Sequence, residues 1–346
     1  MLIKPSTVKV SCPSRIDFTG GFTDVMPFRA TQWVDHINLA IDLPVEVILR
    51  PRNDSLIVVK NKSTHTTVTF ASVDEIEERF SLIKAALINT GVTSDITIII
   101  DSHAPAGAGL GTSGALSVAL ITALTLFTGR TLSNDKSELA TAAAEVEQAS
   151  GTLGGLQDQF AAATGGLNLF QFYGSKYSSK RINLSDQHIK ELEQRVLILY
   201  PGGNRRSTDI VASVMKEYRN ANSAVSSALS SLNKLAPKIL EALKSTQWEK
   251  LSSLLQDVRE QQLVLHPDLI DDGNRKIIYG LNKRGVEGIK LLGGGGSGAC
   301  LLVISTSDAS RKVIESICEL HNIDIIPVQY ERKGVQAKVN DLMPAI

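Results

Sequence analysis

The sequence predicts an α+β fold in two domains, and three observations carry that expectation. A chain of 346 residues with 43% apolar side chains is long enough for two buried cores. Its first half alternates short strand-like apolar runs with helix-like segments. Its second half reads strand, helices, strand, strand, helix, strand, the split βαβ order of a ferredoxin-like layer with an enlarged first crossover. A polar stretch, Gly174–Arg181 (GSKYSSKR), has the composition of a linker. The expected domains are therefore residues 1–180 and 181–346.

In the first half, Thr7–Ser14, Leu39–Arg50, Leu56–Lys60, Thr66–Ser72 and Asp95–Ser102 read as strands. Helix-like segments fall near Asp74–Thr90 and over Ala115–Phe127 and Lys136–Ser150, the last with Ser133 or Asn134 as its N-cap. Gly166–Tyr173 reads as a closing strand. In the second half, Arg195–Tyr200 is a strand, followed by helical stretches to about Leu265. Glu287–Leu292 and Cys300–Ser305 pair around a glycine-rich turn, Ser307–His321 is helical, and Ile323–Tyr330 is a last strand.

Composition excludes some functions. Basic and acidic residues balance at 36 each, which argues against a nucleic-acid or membrane-surface partner and suits a small-molecule enzyme. Three widely spaced cysteines, Cys12, Cys300 and Cys318, form neither a disulfide framework nor a zinc site, so a reducing cytoplasm is expected. The N-terminal MLIKPSTVKVSCP lacks an apolar leader run, and Ala115–Phe127 is too short to span a bilayer. The six histidines are scattered without metal-ligand spacing and read as structural or exposed; Trp33 and Trp248 read as packing residues.

Residues 105–115 (PAGAGLGTSGA) hold the strongest functional signal. They join a strand to an apolar helix, where exposed backbone N–H groups and the helix dipole favour an anion. Pro105 opens the turn. Gly107, Ala108, Gly109, Leu110, Gly111 and Gly114 present little side-chain obstruction, and Thr112 and Ser113 add hydroxyls, so the run reads as a phosphate cradle. No lysine follows Gly111 or Gly114, so it is not the GxxxxGK[ST] loop. Gly109, Gly111 and Gly114 do match GxGxxG. The acidic residue that a dinucleotide fold wants, however, would be Asp135, which lies at a helix start rather than a strand end.

The stretch Pro105–Ala115 resembles the second motif of the GHMP small-molecule kinases, with Thr112 and Gly114 replacing a serine and an alanine of the pattern. Two further segments fall in family order. SCPSRIDFTGGFTDVMPF (Ser11–Phe28) resembles the first motif, and KLLGGGGSGACLLV (Lys290–Val303) resembles the third. The resemblance spans almost the whole chain. It implies an N-terminal mixed α/β domain like the second domain of a small-subunit ribosomal protein, and a C-terminal ferredoxin-like domain. It also implies ATP and Mg2+ as cofactors.

Roles follow from it residue by residue. Asp158, in GTLGGLQDQFAAATGG (Gly151–Gly166), matches the aspartate that accepts or orients the substrate proton, and Arg15 a basic partner near the transferring phosphate. Ser113 and Glu147, the latter 11 residues before Asp158, match the magnesium ligands; Glu145 is the alternative. Asp24 matches the sugar-binding aspartate, with Gly20, Gly21, Thr23, Gly155, Gly294 and Gly295 around the substrate. Gly21 and Phe22 replace the Glu-His of galactokinases, which makes galactose an unsuitable substrate. RIDFTGGFTD instead resembles the fucokinase and heptose-phosphate kinase branch. The local chemistry of Asp158 alone also permits a helix cap over Gln159–Thr164, and Glu147 a solvated helix carboxylate.

YPGGNRRSTDIV (Tyr200–Val211) places Arg205 and Arg206 before Ser207 and Thr208 at an expected helix start, where guanidinium forks suit a substrate phosphate. The expected activity is ATP-dependent phosphorylation of a heptose 7-phosphate or similar sugar at its anomeric hydroxyl. The alternatives are a free-aldose 1-kinase for L-fucose or arabinose and a non-catalytic sensor of ATP and sugar. Monomer and homodimer remain equally open.

Overall fold

The computed structural model describes residues 6–203, 208–296 and 298–340. It contains two sheets and ten α-helices among those residues. The first part runs β1 (Thr7–Asp17), β2 (Val34–Pro51), β3 (Ile57–Asn61), β4 (Thr66–Phe70), α1 (Ser81–Thr90) and β5 (Ile96–Ser102). It continues through α2 (Thr112–Phe127), α3 (Lys136–Ala149), α4 (Gln157–Thr164), β6 (Leu167–Tyr173) and β7 (Lys176–Arg181). The second part runs α5 (Asp186–Arg195), β8 (Val196–Tyr200), α6 (Thr208–Arg219), α7 (Ser223–Lys244), α8 (Trp248–Leu265) and α9 (Asp272–Asn282). It closes with β9 (Ile289–Leu291), β10 (Leu301–Ile304), α10 (Asp308–His321), β11 (Asp324–Ile326) and β12 (Gln336–Asn340).

The 18-residue β2 organises the larger sheet. Its first part pairs with β6 and its last part with β5, while β1 lies along its other edge. The resulting eight strands follow the order β12-β1-β2-β5-β3-β4, with β6 and β7 branching from β2. Helix α2 is apolar on nearly every side because α1, α3, α4 and the strands β1 and β2 surround it. That burial anchors the helix whose first turn begins at Thr112. Phe160 of α4 packs edge-on against Phe170, Phe172 and Tyr177, fixing α4 to β6 and β7.

The smaller sheet is antiparallel in the order β11-β8-β10-β9, which is the ferredoxin-like order expected from the sequence. Strands β8, β9 and β10 are buried on both faces. Leu197, Leu199, Ile289, Leu291, Leu301 and Val303 form a separate core with α9 and α10, whereas Val196, Ile198, Leu302 and Ile304 join the main core. Strand β9 lies at the sheet edge, and α8 covers it with side chains. Arg259 donates to the carbonyls of Glu287 and Ile289 at 3.0 and 2.9 Å, and Gln262 exchanges hydrogen bonds with Leu291.

Several expectations need correction. Gly174–Arg181 is no linker: it turns at Gly174 and forms β7, paired with β6 from Tyr173–Lys176 to Asn168–Arg181. Its polar composition reflects an exposed edge strand. The N-cap of α3 is Asp135, which accepts from the Ser137 amide at 2.8 Å, rather than Ser133 or Asn134. Three elements were not expected from the sequence: α5, α9, and β12, which returns to pair with β1 in the first sheet. The last run expected as Ile323–Tyr330 narrows to Asp324–Ile326. Cys12, Cys300 and Cys318 are all buried and form no disulfide. Among the described residues, no helix is long and apolar enough to cross a membrane.

Candidate active site

A cleft of about 370 Å³ opens where the end of β1, the loop before α2, the start of α4 and the glycine turn after β9 converge. Gly107, Gly109, Leu110, Gly111, Thr112 and Ser113 form one wall, so most of the expected cradle does face a cavity. Pro105, Ala108 and Gly114 stand behind it. Pro105 accepts the Ala108 amide at 3.3 Å, and the Ala108 carbonyl accepts the Cys300 amide at 3.1 Å. Gly114 is needed for a close approach: a Cβ there would lie 2.5 Å from the Cβ of Asp158. At Gly109 a Cβ would meet the Leu292 carbonyl at 2.3 Å, so the loop rests directly on the second part of the chain.

Two side-chain pairs dominate the cleft. Arg15, near the end of β1 and only 3% exposed, brings Nε to 2.8 Å and Nη2 to 2.6 Å from Asp158 Oδ1. Its third nitrogen donates to the Gly109 carbonyl at 2.6 Å. Burial raises the Asp158 carboxyl above the usual aspartate range; Arg15 draws it back, and Asp24 and Asp17 push it up again. Arg15 thus opposes the effect of burial on Asp158, and burial wins. Asp158 lies in the first turn of α4 but does not cap it. That task falls to Asp24, whose Oδ2 accepts the amides of Leu156 and Gln157 at 2.8 and 3.0 Å.

The second pair is Ser113 and Glu147. The Ser113 hydroxyl and the Gln159 amide donate to opposite oxygens of the Glu147 carboxylate. Burial, with a smaller contribution from Asp158, pushes this carboxyl up to about 7 against the pull of those two donors. Glu145, two residues away, points to solvent. A carboxylate and a hydroxyl beside a phosphate-sized opening are hard oxygen donors of the kind Mg2+ takes when most of its shell is water and phosphate. The protonation cost also fits a cation: a divalent charge there would stabilise the ionised form.

The remaining substrate candidates divide. Gly21, Asp24 and Gly294 line the cleft, as does Gly155, where a Cβ would fall 1.9 Å from Asp24 Oδ2. Gly20, Thr23 and Gly295 sit behind the wall. Gly20 packs on Leu232 and Val258, Gly295 on Leu269, and the Thr23 hydroxyl lies 2.8 Å from Nε2 of the buried His36. Arg205 and Arg206 lie outside the described residues, as does Ser207. Val25, Leu153, Gln157, Gln159 and Val211 also line the cleft without having been singled out, beside Phe22. Only Gln159 carried a usable signal, being the next polar residue after Asp158. Trp248 is buried, as expected; Trp33 is instead half exposed, against Tyr173.

Comparison with known proteins bears on the family and the fold. Residues 74–166 match the family described as the GHMP kinases N terminal domain. The chain carries a GHMP kinase N-terminal domain. It is 25% identical over 343 residues to the bifunctional fucokinase/GDP-fucose pyrophosphorylase of Arabidopsis thaliana, covering 94% of this chain but 32% of that protein. The chain thus spans about a third of that relative's length. It is 27% identical over 267 residues to the D-glycero-alpha-D-manno-heptose 7-phosphate kinase of Campylobacter jejuni, covering 72% of this chain and 75% of the relative. A crystal structure of a D-glycero-D-manno-heptose 1-phosphate kinase from Bacteroides thetaiotaomicron superposes with a TM-score of 0.75 at 20% identity, over 96% of this chain and 98% of the other. The GHMP kinase fold therefore extends over both parts of the chain.

Proposed function

We propose that the chain is an ATP-dependent sugar kinase that transfers the γ-phosphoryl group to the anomeric hydroxyl of a heptose 7-phosphate or a closely related sugar. The observation that carries this reading is the convergence in one cleft of the Arg15–Asp158 pair, the Ser113–Glu147 pair and the amide-rich wall at the start of α2. Phosphoryl transfer requires phosphate positioning, a divalent cation and a proton acceptor, and each has a candidate here.

Loop residues Gly107–Ser113 and the N-terminal turn of α2 would hold the ATP phosphates through backbone amides. Glu147 and Ser113 would hold Mg2+, which supplies charge neutralisation on the phosphate oxygens when bound. Asp158 takes the proton of the attacking hydroxyl, and its raised pKa makes it a stronger base than an ordinary aspartate. Arg15 keeps that base ionised enough to act and offsets negative charge next to it. Asp24 has Oδ2 committed to α4 and Oδ1 3.7 Å from Nε2 of His36, and Oδ1 would accept from a sugar hydroxyl. Arg205 and Arg206 would bind a phosphate already on the sugar. This chemistry belongs to cytoplasmic sugar metabolism.

A panel of sugars and sugar phosphates, supplied with ATP and Mg2+ and read by ADP release, tests the proposal. A heptose 7-phosphate or related sugar is expected to raise ADP release well above the sugar-free rate. ADP release that no sugar raises would overturn the kinase reading. Preference for an unphosphorylated aldose would replace the sugar-phosphate part of it.

A further inference from the structure

Lys290 is the central residue of β9, and its ammonium group is buried completely. Its neighbours Ile289 and Leu291 face the core of the smaller sheet, so strand alternation sends Lys290 to the opposite face, towards β1. There Nζ donates to the Asp17 carbonyl at 2.6 Å and lies 3.4 Å from Asp17 Oδ2. Asp17 in turn organises the chain that follows. Its Oδ1 accepts the Thr19 amide and hydroxyl at 2.8 and 2.7 Å, and its Oδ2 accepts the Gly20 amide at 3.0 Å. A second tether comes from α8: Gln262, fully buried, donates to the Gly20 carbonyl at 3.3 Å while bonded to Leu291.

The turn so held is strained. Gly20, Gly21 and Phe22 have φ of 105°, 71° and 64° in succession, and Phe22 carries a bulky side chain in that left-handed region. Such a conformation persists only where surrounding contacts over-determine it. This run delivers Gly21, Phe22, Asp24 and Val25 to the cleft wall. Arg15 and Asp17 also share one face of β1, two residues apart, so a shift of Asp17 moves the partner of Asp158 as well.

We infer that Lys290 and Gln262 are positioning residues: from the second part of the chain they hold the strained turn 17–25 in the shape that forms the acceptor side of the cleft. A buried ion pair is a poor source of net stability, because desolvation offsets most of its attraction. A buried lysine therefore makes better physical sense as a device that fixes geometry. The acceptor role of the turn rests on the kinase reading; its dependence on the two tethers does not.

The test separates these. Amide exchange read by mass spectrometry is compared between wild type, Lys290→Met and Gln262→Leu. The tethers predict exchange over residues 17–25 faster by roughly tenfold or more in Lys290→Met, with α2 and β5 changed by less than about twofold. Gln262→Leu keeps the ion pair, leaves a folded protein should Lys290→Met fail to fold, and predicts a smaller change at the same segment. With a sugar that wild type phosphorylates, both variants should raise KM for the sugar several-fold more than KM for ATP. Exchange that is unchanged over 17–25, or that rises equally throughout both sheets, would overturn the inference. A wild type that phosphorylates no sugar would sink the kinase reading while the exchange data still decide the positioning role.

Discussion

Asp158 and Glu147 flank the same cleft, yet their carboxylates are held by different means. Asp158 faces a guanidinium at two short distances and keeps part of its surface open to the cleft. Glu147 is almost fully buried and has only neutral partners, a serine hydroxyl and a glutamine amide. Burial raises both carboxyls, but only Asp158 has a resident cation working against it. The difference teaches which site is complete in the protein alone. The charge of Asp158 is balanced from within the chain, whereas Glu147 has only neutral hydrogen-bond partners and, on the proposed kinase reading, would take its counter-charge from a bound Mg2+.

The comparison is broken most directly at Asp158. Replacing it in Asp158→Asn removes the base but leaves the Glu147 side intact, so kcat should fall by about 10²–10⁴ with nucleotide affinity retained. Steady-state kinetics beside a nucleotide-binding titration reads this; near-wild-type turnover would remove Asp158 from the chemistry. At the other carboxylate, Glu147→Gln should raise the Mg2+ concentration for half-maximal rate, and Ser113→Ala should do so more weakly. A defect in Glu145→Gln instead would shift the metal site by two residues.

Protons sharpen the same contrast. Glu147 titrates near 7 in the folded protein against about 4.3 in an unfolded chain. The folded state therefore binds more protons between those values, and stability of the metal-free protein contributed by this group falls as pH rises from about 4.3 through 7. Thermal melts should show Mg2+ raising Tm more at pH 8 than at pH 5.5; equal shifts would sever Glu147 from the cation. The smallest effect is expected at Arg206→Ala, which should raise KM for a sugar phosphate and leave KM for ATP nearly unchanged. Equal changes for phosphorylated and free sugars would take Arg206 out of substrate recognition.

Much of this was legible in the sequence, for local reasons. Ala115–Phe127 and the run Asp95–Ser102 announced α2 and β5 because full burial demands apolar side chains throughout. The glycines of 107–114 announced a loop because close backbone approach excludes larger residues. Contacts between distant segments were not legible. The Asp17–Lys290 pair joins positions 273 apart, and neither residue alone differs from an ordinary surface charge. Exposed edge strands were also hidden: β7 has one apolar residue, Tyr177, and β12 alternates only Ala337 and Val339 over five exposed positions, too little pattern to stand out. Asp24 was assigned a sugar-binding role, but nothing local disclosed that one of its oxygens caps α4.

The return of β12 to β1 sets an order of events during synthesis. Strand β1 is made more than 300 residues before β12, so its outer edge finds its partner only when residues 336–340 have followed. Gly166 likewise waits for the Glu331 carbonyl, and the Ala40 carbonyl for the Glu331 amide. A nascent chain that has reached only residue 180 therefore holds an unfinished sheet, with an open hydrogen-bonding edge that a neighbouring chain on the same message could occupy. Pausing translation after the first part would prolong that exposure, and splitting the protein into two separately expressed fragments would make it permanent.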